Sequence, residues 1–173
     1  ANFDDFRVGQ VSAAPVNKEV LNALISEVEG FDTSAYTAAS VSEYEAEFAE
    51  ELAAAKELQS SEDASQADVD AAAEALSAAF ASGKEKLVTI ESKLDDSIAD
   101  CIEDVMGQDA YTAESWAVYE EKLAAARALL ESGDLTEEQA DAAIAELQEA
   151  AAGLQTAGSK AELAGLIDEI ESF

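Results

Sequence analysis

The sequence Tyr36-Thr-Ala-Ala-Ser40, followed by Leu52-Ala-Ala-Ala-Lys-Glu-Leu58, returns later in the chain in nearly the same form. The second copy is Tyr111-Thr-Ala-Glu-Ser115, followed by Leu123-Ala-Ala-Ala-Arg-Ala-Leu129. Two copies in the same order indicate an internal repeat, so the first task is to define one unit. The 173 residues hold two units of roughly 65 to 75 residues each, with a short remainder.

Each unit carries three apolar stripes at helical spacing, in a chain that is rich in Ala and has one Pro. In chain order the stripes begin at Val20, Val41, Val69, Leu94, Trp116 and Ala140. Residues three and four apart share one face of a helix, so each stripe predicts an amphipathic helix. Capping residues such as Ser65, and the box Thr136-Glu-Glu-Gln139, separate the helices. The pattern predicts an all-α fold with one three-helix bundle per unit.

The two copies differ in length inside the second helix. The tyrosines at 36 and 111 lie 75 positions apart, whereas the Leu-Ala-Ala-Ala strings at 52 and 123 lie 71 apart. Four extra residues add one turn plus about 40°, which keeps the apolar stripe on the core side. The second helix of the first unit is therefore expected to be one turn longer.

The boundary between the units shows no gap in the apolar pattern. Apolar or small residues alternate at spacings of four and three from Val69 to Val105, which predicts one continuous helix on the order of 60 Å long between the bundles. Against this, Ser82-Gly-Lys-Glu85 resembles a new helix start, and Gly83 weakens a helix by about 1 kcal/mol. The continuous helix is the prediction, with unit one at 17–83 and unit two at 84–156.

Both ends of the chain differ from the units. Residues 1–16 have no helical period, and Phe3-Asp-Asp-Phe-Arg-Val8 resembles the closing strand of β-sandwich carbohydrate-binding modules. They form either the end of a preceding β domain or an unordered leader. Within 157–173, the stretch from Lys160 to Ile170 matches the stretch from Lys18 to Val28 without a gap. It predicts the first helix of a truncated third unit, and we expect a segment of a longer protein.

The formal net charge of −30 limits the partners. A field of this sign repels phosphate backbones and anionic lipid surfaces, so we expect no binding to nucleic acid or membranes. No run of 18 apolar residues and no signal peptide is present. Basic proteins of the cell wall or of a host are compatible with the charge.

The residue types argue against catalysis. There is no His, which is the commonest general base and zinc ligand. No phosphate-binding loop or nucleophile elbow is present, and Cys101, the only cysteine, lies among apolar residues as a core side chain. Carboxylates abound, but a slender bundle filled by Ala and Leu leaves little room for a sugar cleft. We expect no enzyme activity, no cofactor and no metal site.

Three aromatic side chains are the candidate site residues: Tyr36, Tyr111 and Trp116. Aromatic rings stack on sugars or anchor protein interfaces. Each Tyr, however, comes just before a helix, and Trp116 lies on the apolar stripe. Core packing is the favoured interpretation, and ligand stacking is the alternative.

The repeated pattern resembles the FIVAR family. Tyr111-Thr-Ala-Glu-Ser-Trp116, the Leu-Ala-Ala-Ala-Arg string and Asp141-Ala-Ala143 fit its motif closely. The first copy fits with the four-residue insertion and with Val41 in place of the usual Trp. The resemblance covers about Asn17 to Leu154. It implies an accessory module of large secreted or wall-anchored bacterial proteins, often glycoside hydrolases.

The expected function follows from the repeat and the resemblance together. We expect a non-catalytic spacer that sets the distance and orientation between neighbouring domains of the same chain, in an extracellular or cell-surface bacterial protein. The alternative is a module that binds a glycan or a protein. That alternative requires an exposed aromatic or apolar patch, which the helical periodicity alone does not predict.

Overall fold

The computed structural model describes residues 15–158 together with Ile167 and Ile170. The helices with defined bounds are α1 (Glu19–Glu29), α2 (Ala38–Ser60), α3 (Gln66–Glu85), α4 (Ile90–Glu103), α5 (Ala113–Ser132) and α6 (Glu137–Ala152), with a 3-10 helix at Gln108–Ala110 before α5. No strand occurs within the described ranges, which contain only two isolated β-bridges. The predicted all-α fold with tandem helical units is confirmed.

The described chain forms two compact units. The first contains the residues up to Phe31 and Glu43–Lys86, and the second contains Asp32–Ser42 and the residues from Leu87 onward. Residues of α2 therefore contribute to both units.

The first unit packs α1, the larger part of α2, and α3 around one core. Its buried apolar residues are Leu21, Ile25, Val28, Tyr44, Phe48, Ala55, Val69, Leu76 and Phe80. An aromatic cluster closes one end, because the rings of Phe31, Tyr44 and Phe80 lie with centroids 5.4 to 6.0 Å apart. Phe48 joins it with an edge-on contact to Tyr44 at 4.8 Å. Aromatic pairs of this geometry stabilise the fold beyond the effect of burying their apolar surface.

The second unit packs α4, α5 and α6 around a core with fewer aromatic rings. Its buried apolar residues are Ile90, Leu94, Ile98, Cys101, Tyr119, Ala126, Ala140, Leu147 and Ala150. The predicted place of Cys101 in the core is confirmed. The helix starts follow the predicted chemistry: the Ser65 and Thr136 hydroxyls each accept from a backbone N–H three residues on, within a capping box.

The predicted continuous helix across the unit boundary is wrong. Helix α3 ends at Glu85, and α4 begins at Ile90 with Thr89 as its N-cap. Thr89 has extended backbone angles, φ −69° and ψ 149°, and it forms an antiparallel bridge with Tyr36. A helical segment cannot offer its backbone groups to a neighbour in this way, since its own i to i−4 bonds use them. Pairing with a distant segment therefore overrides the apolar period.

Gly83 is not the site of the break. It lies inside α3 and is buried, and a Cβ built on it would be 3.0 Å from the Tyr44 carbonyl oxygen and 3.1 Å from the Tyr44 ring. The glycine allows α3 to approach α2 closely. Ser82 does not start a helix either, because its hydroxyl donates to the Glu47 carboxylate at 3.0 Å.

The predicted extra turn in the first unit is confirmed, and it is matched in the next helix. Helix α2 has 23 residues and α5 has 20, while α3 has 20 and α6 has 16. Sequence comparison had located only the first of these two differences. The bundle of the first unit is therefore longer along both helices.

Two of the sequence predictions fall outside the described part of the chain. The extended leader at 1–16 lies there except for its last two residues, and the third-unit helix at 157–173 lies there except for residues 157, 158, Ile167 and Ile170. Ile167 and Ile170 are helical and exposed.

Candidate functional site

The structure brings together two of the three candidate aromatics. The rings of Tyr111 and Trp116 are stacked, with centroids 6.0 Å apart and an interplanar angle of 16°. The Tyr111 hydroxyl accepts a hydrogen bond from the Met106 N–H at 3.2 Å. Tyr36 occupies the same position in the other copy and is also half-buried. All three side chains thus belong to helix starts, and ligand stacking by them stays a prediction.

Trp116 packs as part of the second unit rather than as an open platform. Its ring lies 5.4 Å from the buried Tyr119 ring, and its indole nitrogen is buried without a hydrogen-bond partner among the described residues. Such a donor costs about 1 to 3 kcal/mol when left unpaired. A shallow groove of about 300 Å³ lies beside the ring, lined in part by Met106 and Arg127. Because the nitrogen is buried, a ligand in that groove would meet the ring and not the N–H.

The most ordered polar arrangement lies around Thr37 and Ser40, which are the buried polar residues of the described chain. The Thr37 N–H donates to the Val88 carbonyl at 2.9 Å. The Ser40 hydroxyl accepts from the Val88 N–H at 3.1 Å and from the Thr37 hydroxyl at 2.9 Å. We call this arrangement of Thr37, Ser40 and Val88 the first clamp. It binds both the N–H and the carbonyl oxygen of Val88, which lies between α3 and α4.

The same hydrogen bonds recur after α6. The Thr112 N–H donates to the Gln155 carbonyl at 2.8 Å, and the Ser115 hydroxyl accepts from the Gln155 N–H at 3.1 Å. The Thr112 and Ser115 hydroxyls lie 2.9 Å apart, and Tyr111 forms an antiparallel bridge with Thr156. We call Thr112, Ser115 and Gln155 the second clamp. The repeated Tyr-Thr-x-x-Ser string therefore has one structural role in both copies.

Sequence reasoning missed both clamps. Thr112 is also the N-cap of α5, since its side chain accepts from the Ser115 N–H. The usable signal was a second repeated string, Leu87-Val-Thr89 and Leu154-Gln-Thr156. It lies 67 positions apart and contains the residue that each Ser binds.

The ion pairs of the units hold helices together at the surface. The Lys86 ammonium donates to the Glu47 carboxylate, and this hydrogen bond, with a second one from Ser82, lowers the pKa of Glu47. In the second unit Lys93 lies 2.5 Å from Asp141 and 3.3 Å from Glu137. The hydrogen bond to Asp141 is the main cause that raises the pKa of Lys93. Exposed pairs of this kind contribute little to stability.

The Cys101 thiol is not activated as a nucleophile. Burial raises the pKa of the Cys101 thiol, and Asp100 and Asp104 raise it further, so the thiolate form is disfavoured. Within the described ranges, no group of three or more carboxylate or cysteine side chains is arranged to hold a metal ion. None of the described helices combines the length and the apolar character needed to cross a bilayer.

Comparison with known proteins gives one family. A family model described as the FIVAR domain matches residues 17–82 and again residues 92–155. The two matches together cover most of the chain and agree with the two copies of the repeat. No curated protein and no solved structure matches the chain.

Proposed function

Because the chain belongs to the FIVAR domain family, with two domains in tandem, we propose that it is a non-catalytic spacer within a larger extracellular bacterial protein. FIVAR domains are accessory modules of bacterial surface proteins, and the family is non-catalytic. In this role the tandem pair sets the distance and orientation between neighbouring domains of the same chain. Those neighbouring domains are its main partners.

The observation that carries the proposal is the pair of clamps. A flexible linker leaves its backbone groups to water, but the segment after α3 and the segment after α6 are both hydrogen-bonded to a Thr and a Ser. Thr37 is 5% exposed and Ser40 is 6% exposed, so water does not compete strongly for the first clamp. Both segments therefore have fewer backbone conformations open to them than a flexible linker has.

The charge of the chain supports the same role. With 39 acidic and 9 basic residues, the surface repels other acidic surfaces and remains hydrated. A spacer needs both properties, since it must not collapse onto the domains that it separates. We further propose that the parent protein is secreted or anchored to the cell surface and is a carbohydrate-active enzyme. A full coding sequence without any carbohydrate-active domain would refute that last point.

Electron paramagnetic resonance distances between two spin labels test the spacer role. The buried Cys101 is first replaced by Val, the residue at the matching core position 28, and cysteines for labelling are placed at the exposed Glu62 and Asp134. These two positions lie in the loops after α2 and after α5. A spacer of fixed length predicts one narrow distance distribution between these labels.

The variants Ser40→Ala and Ser115→Ala separate the clamp from a general loss of order. Ser40→Ala removes the acceptor for Val88 and is expected to broaden the distribution. Ser115→Ala removes the same interaction with Gln155 after α6. It leaves the segment between α3 and α4 intact and is expected to leave the distribution unchanged. A broad distribution in the parent chain would contradict a spacer of fixed length.

A further inference from the structure

A groove between α1 and α3 of the first unit exposes an unusual amount of apolar surface. Its volume is about 870 Å³. The apolar residues along it are Val20, Ala23, Leu24, Ala73, Ala78 and Ala81. Val20 is 72% exposed, although it lies next to the fully buried Leu21. Exposed apolar surfaces of this kind are typical of binding sites.

The second unit shows that the fold does not require an apolar residue at this place. The buried residues Leu21 and Ile25 of α1 match Leu94 and Ile98 of α4, so Val20 corresponds to Lys93. Lys93 pairs with Asp141 and Glu137 of α6 and thereby covers the surface between the helices. In the first unit Asp70 corresponds to Asp141. Helix α1 contains no Lys or Arg that could pair with Asp70. The apolar lining of the groove is thus a feature of the first unit.

Two further differences make the groove of the first unit larger and less polar. Ala73 occupies the position of Ile144, which is partly buried against the core of the second unit. Leu24 occupies the position of Ser97. In the second unit the nearby depression, lined in part by Ser97 and Gln148, has a volume of only about 320 Å³.

The rim of the groove is acidic. Glu27, Asp70 and Glu74 line it together with the apolar residues, and no Lys or Arg is among the lining residues. Such a site favours a ligand with an apolar face flanked by cations. It disfavours a second copy of this chain, because two chains of net charge −30 repel each other.

We propose that this groove binds a basic amphipathic helix of a partner protein. The stretch of α3 from Asp70 to Ala81 that lines the groove is about 16 Å long, or about three helical turns. A helix with Leu-type residues at spacings of three and four would place them against the Val20 and Ala73 surface. Its Lys or Arg residues would then face the carboxylates of the rim. This recognition role is additional to the spacer role and does not depend on it.

Two synthetic peptides of one composition test the proposal. The first has Leu at positions i, i+3, i+4 and i+7 and Lys elsewhere, and the second has the same residues in an order that forms no apolar face. Each carries a fluorescent label, and binding to the full chain is followed by anisotropy at near-physiological salt, which screens general charge attraction. We expect saturable binding of the first peptide with one site per chain and at least about tenfold weaker binding of the second.

Three variants locate the site. Val20→Lys copies the second unit and lets the new ammonium pair with Asp70, while Ala73→Ile fills the groove without any change in charge. Each is expected to weaken binding of the first peptide by about tenfold or more, the effect of losing one buried aliphatic contact. Val118→Lys, at a residue of α5 that is 50% exposed, changes the net charge equally. It is expected to change the affinity less than about twofold.

Several results would overturn the proposal. Equal binding of both peptides, or equal effects of Val20→Lys and Val118→Lys, would mean that net charge alone attracts the peptide. Absence of binding by the first peptide would also refute it. Nuclear Overhauser contacts from the Val20 methyls to residues 159–173, or a dimer that Val20→Lys dissociates, would assign the groove to this chain itself.

Discussion

Replacing Ser40 by Ala tests the first clamp most directly. The Ser40 hydroxyl is the acceptor for the Val88 N–H at 3.1 Å and for the Thr37 hydroxyl at 2.9 Å. The substitution leaves both donors without this acceptor in a site where Ser40 itself is 6% exposed. A buried donor that loses its acceptor costs about 1 to 3 kcal/mol, so for the two donors together we expect a loss of about 2 kcal/mol or more.

The matched control is Ser115→Ala in the second clamp. Ser115 makes the same two contacts, but it is only half-buried and its Gln155 partner is exposed. Water replaces the lost hydroxyl more easily there, so we expect a loss of about 1 kcal/mol. Urea unfolding followed by far-ultraviolet circular dichroism measures both, and fluorescence of Trp116, the single Trp, follows the second unit separately.

Hydrogen exchange supplies the local readout. In Ser40→Ala the Val88 and Thr37 amides are expected to exchange faster than in the parent chain, because each belongs to the first clamp. Equal losses for the two Ser variants, or a loss below about 0.5 kcal/mol for Ser40→Ala, would refute the assignment of the buried hydroxyl as the main support of the clamp. Unchanged exchange at Val88 would refute it independently of stability.

Two substitutions and a pair of deletions test the packing. Gly83→Ala is expected to destabilise the chain by about 1 kcal/mol, because the clash with Tyr44 outweighs a helix-propensity gain of similar size; a higher urea midpoint would show the opposite. Trp116→Ala is expected to cost about 3 kcal/mol, and a loss below about 1 kcal/mol would exclude the ring from the core. Deletion of Glu45–Phe48 alone, or of Phe80–Gly83 alone, is expected to lower the melting temperature more than both deletions together. The reason is that only the double deletion shortens α2 and α3 by the same number of residues; additive losses would contradict this.

The amphipathic pattern alone predicted the core. Leu21, Ile25 and Val28 lie on one stripe, and all three are buried. Leu94, Ile98 and Cys101 of α4 also lie on one stripe and are buried. Such stripes are reliable because burial of apolar area is the largest favourable term in folding, and a helix has one face to bury.

The apolar pattern could not predict where α3 ends. Leu87 and Ile90 continue the pattern, so the sequence favoured a helix through Val88 and Thr89. What ends the helix is a set of backbone hydrogen bonds to residues about 50 positions earlier, from Ala35 to Thr37. Local periodicity reflects only neighbouring residues, so it cannot reveal a partner that is distant in sequence. A bridge of two residues is also too short for a strand pattern to be recognised. The clamps were missed for the same reason.

The first clamp explains why α2 and α3 are both longer than α5 and α6. The α2 insertion alone would move its Tyr-Thr-x-x-Ser start one turn away from the end of α3, by about 5.4 Å. Hydrogen bonds of 2.9 to 3.1 Å between Thr37, Ser40 and Val88 could not survive such a shift. Helix α3 has four residues more than α6. These residues move the end of α3, and Val88 after it, by one turn in the same direction, so the hydrogen bonds can form. A difference in packing length alone would not require two equal insertions in separate helices, but a fixed contact between the start of one helix and the end of the next does.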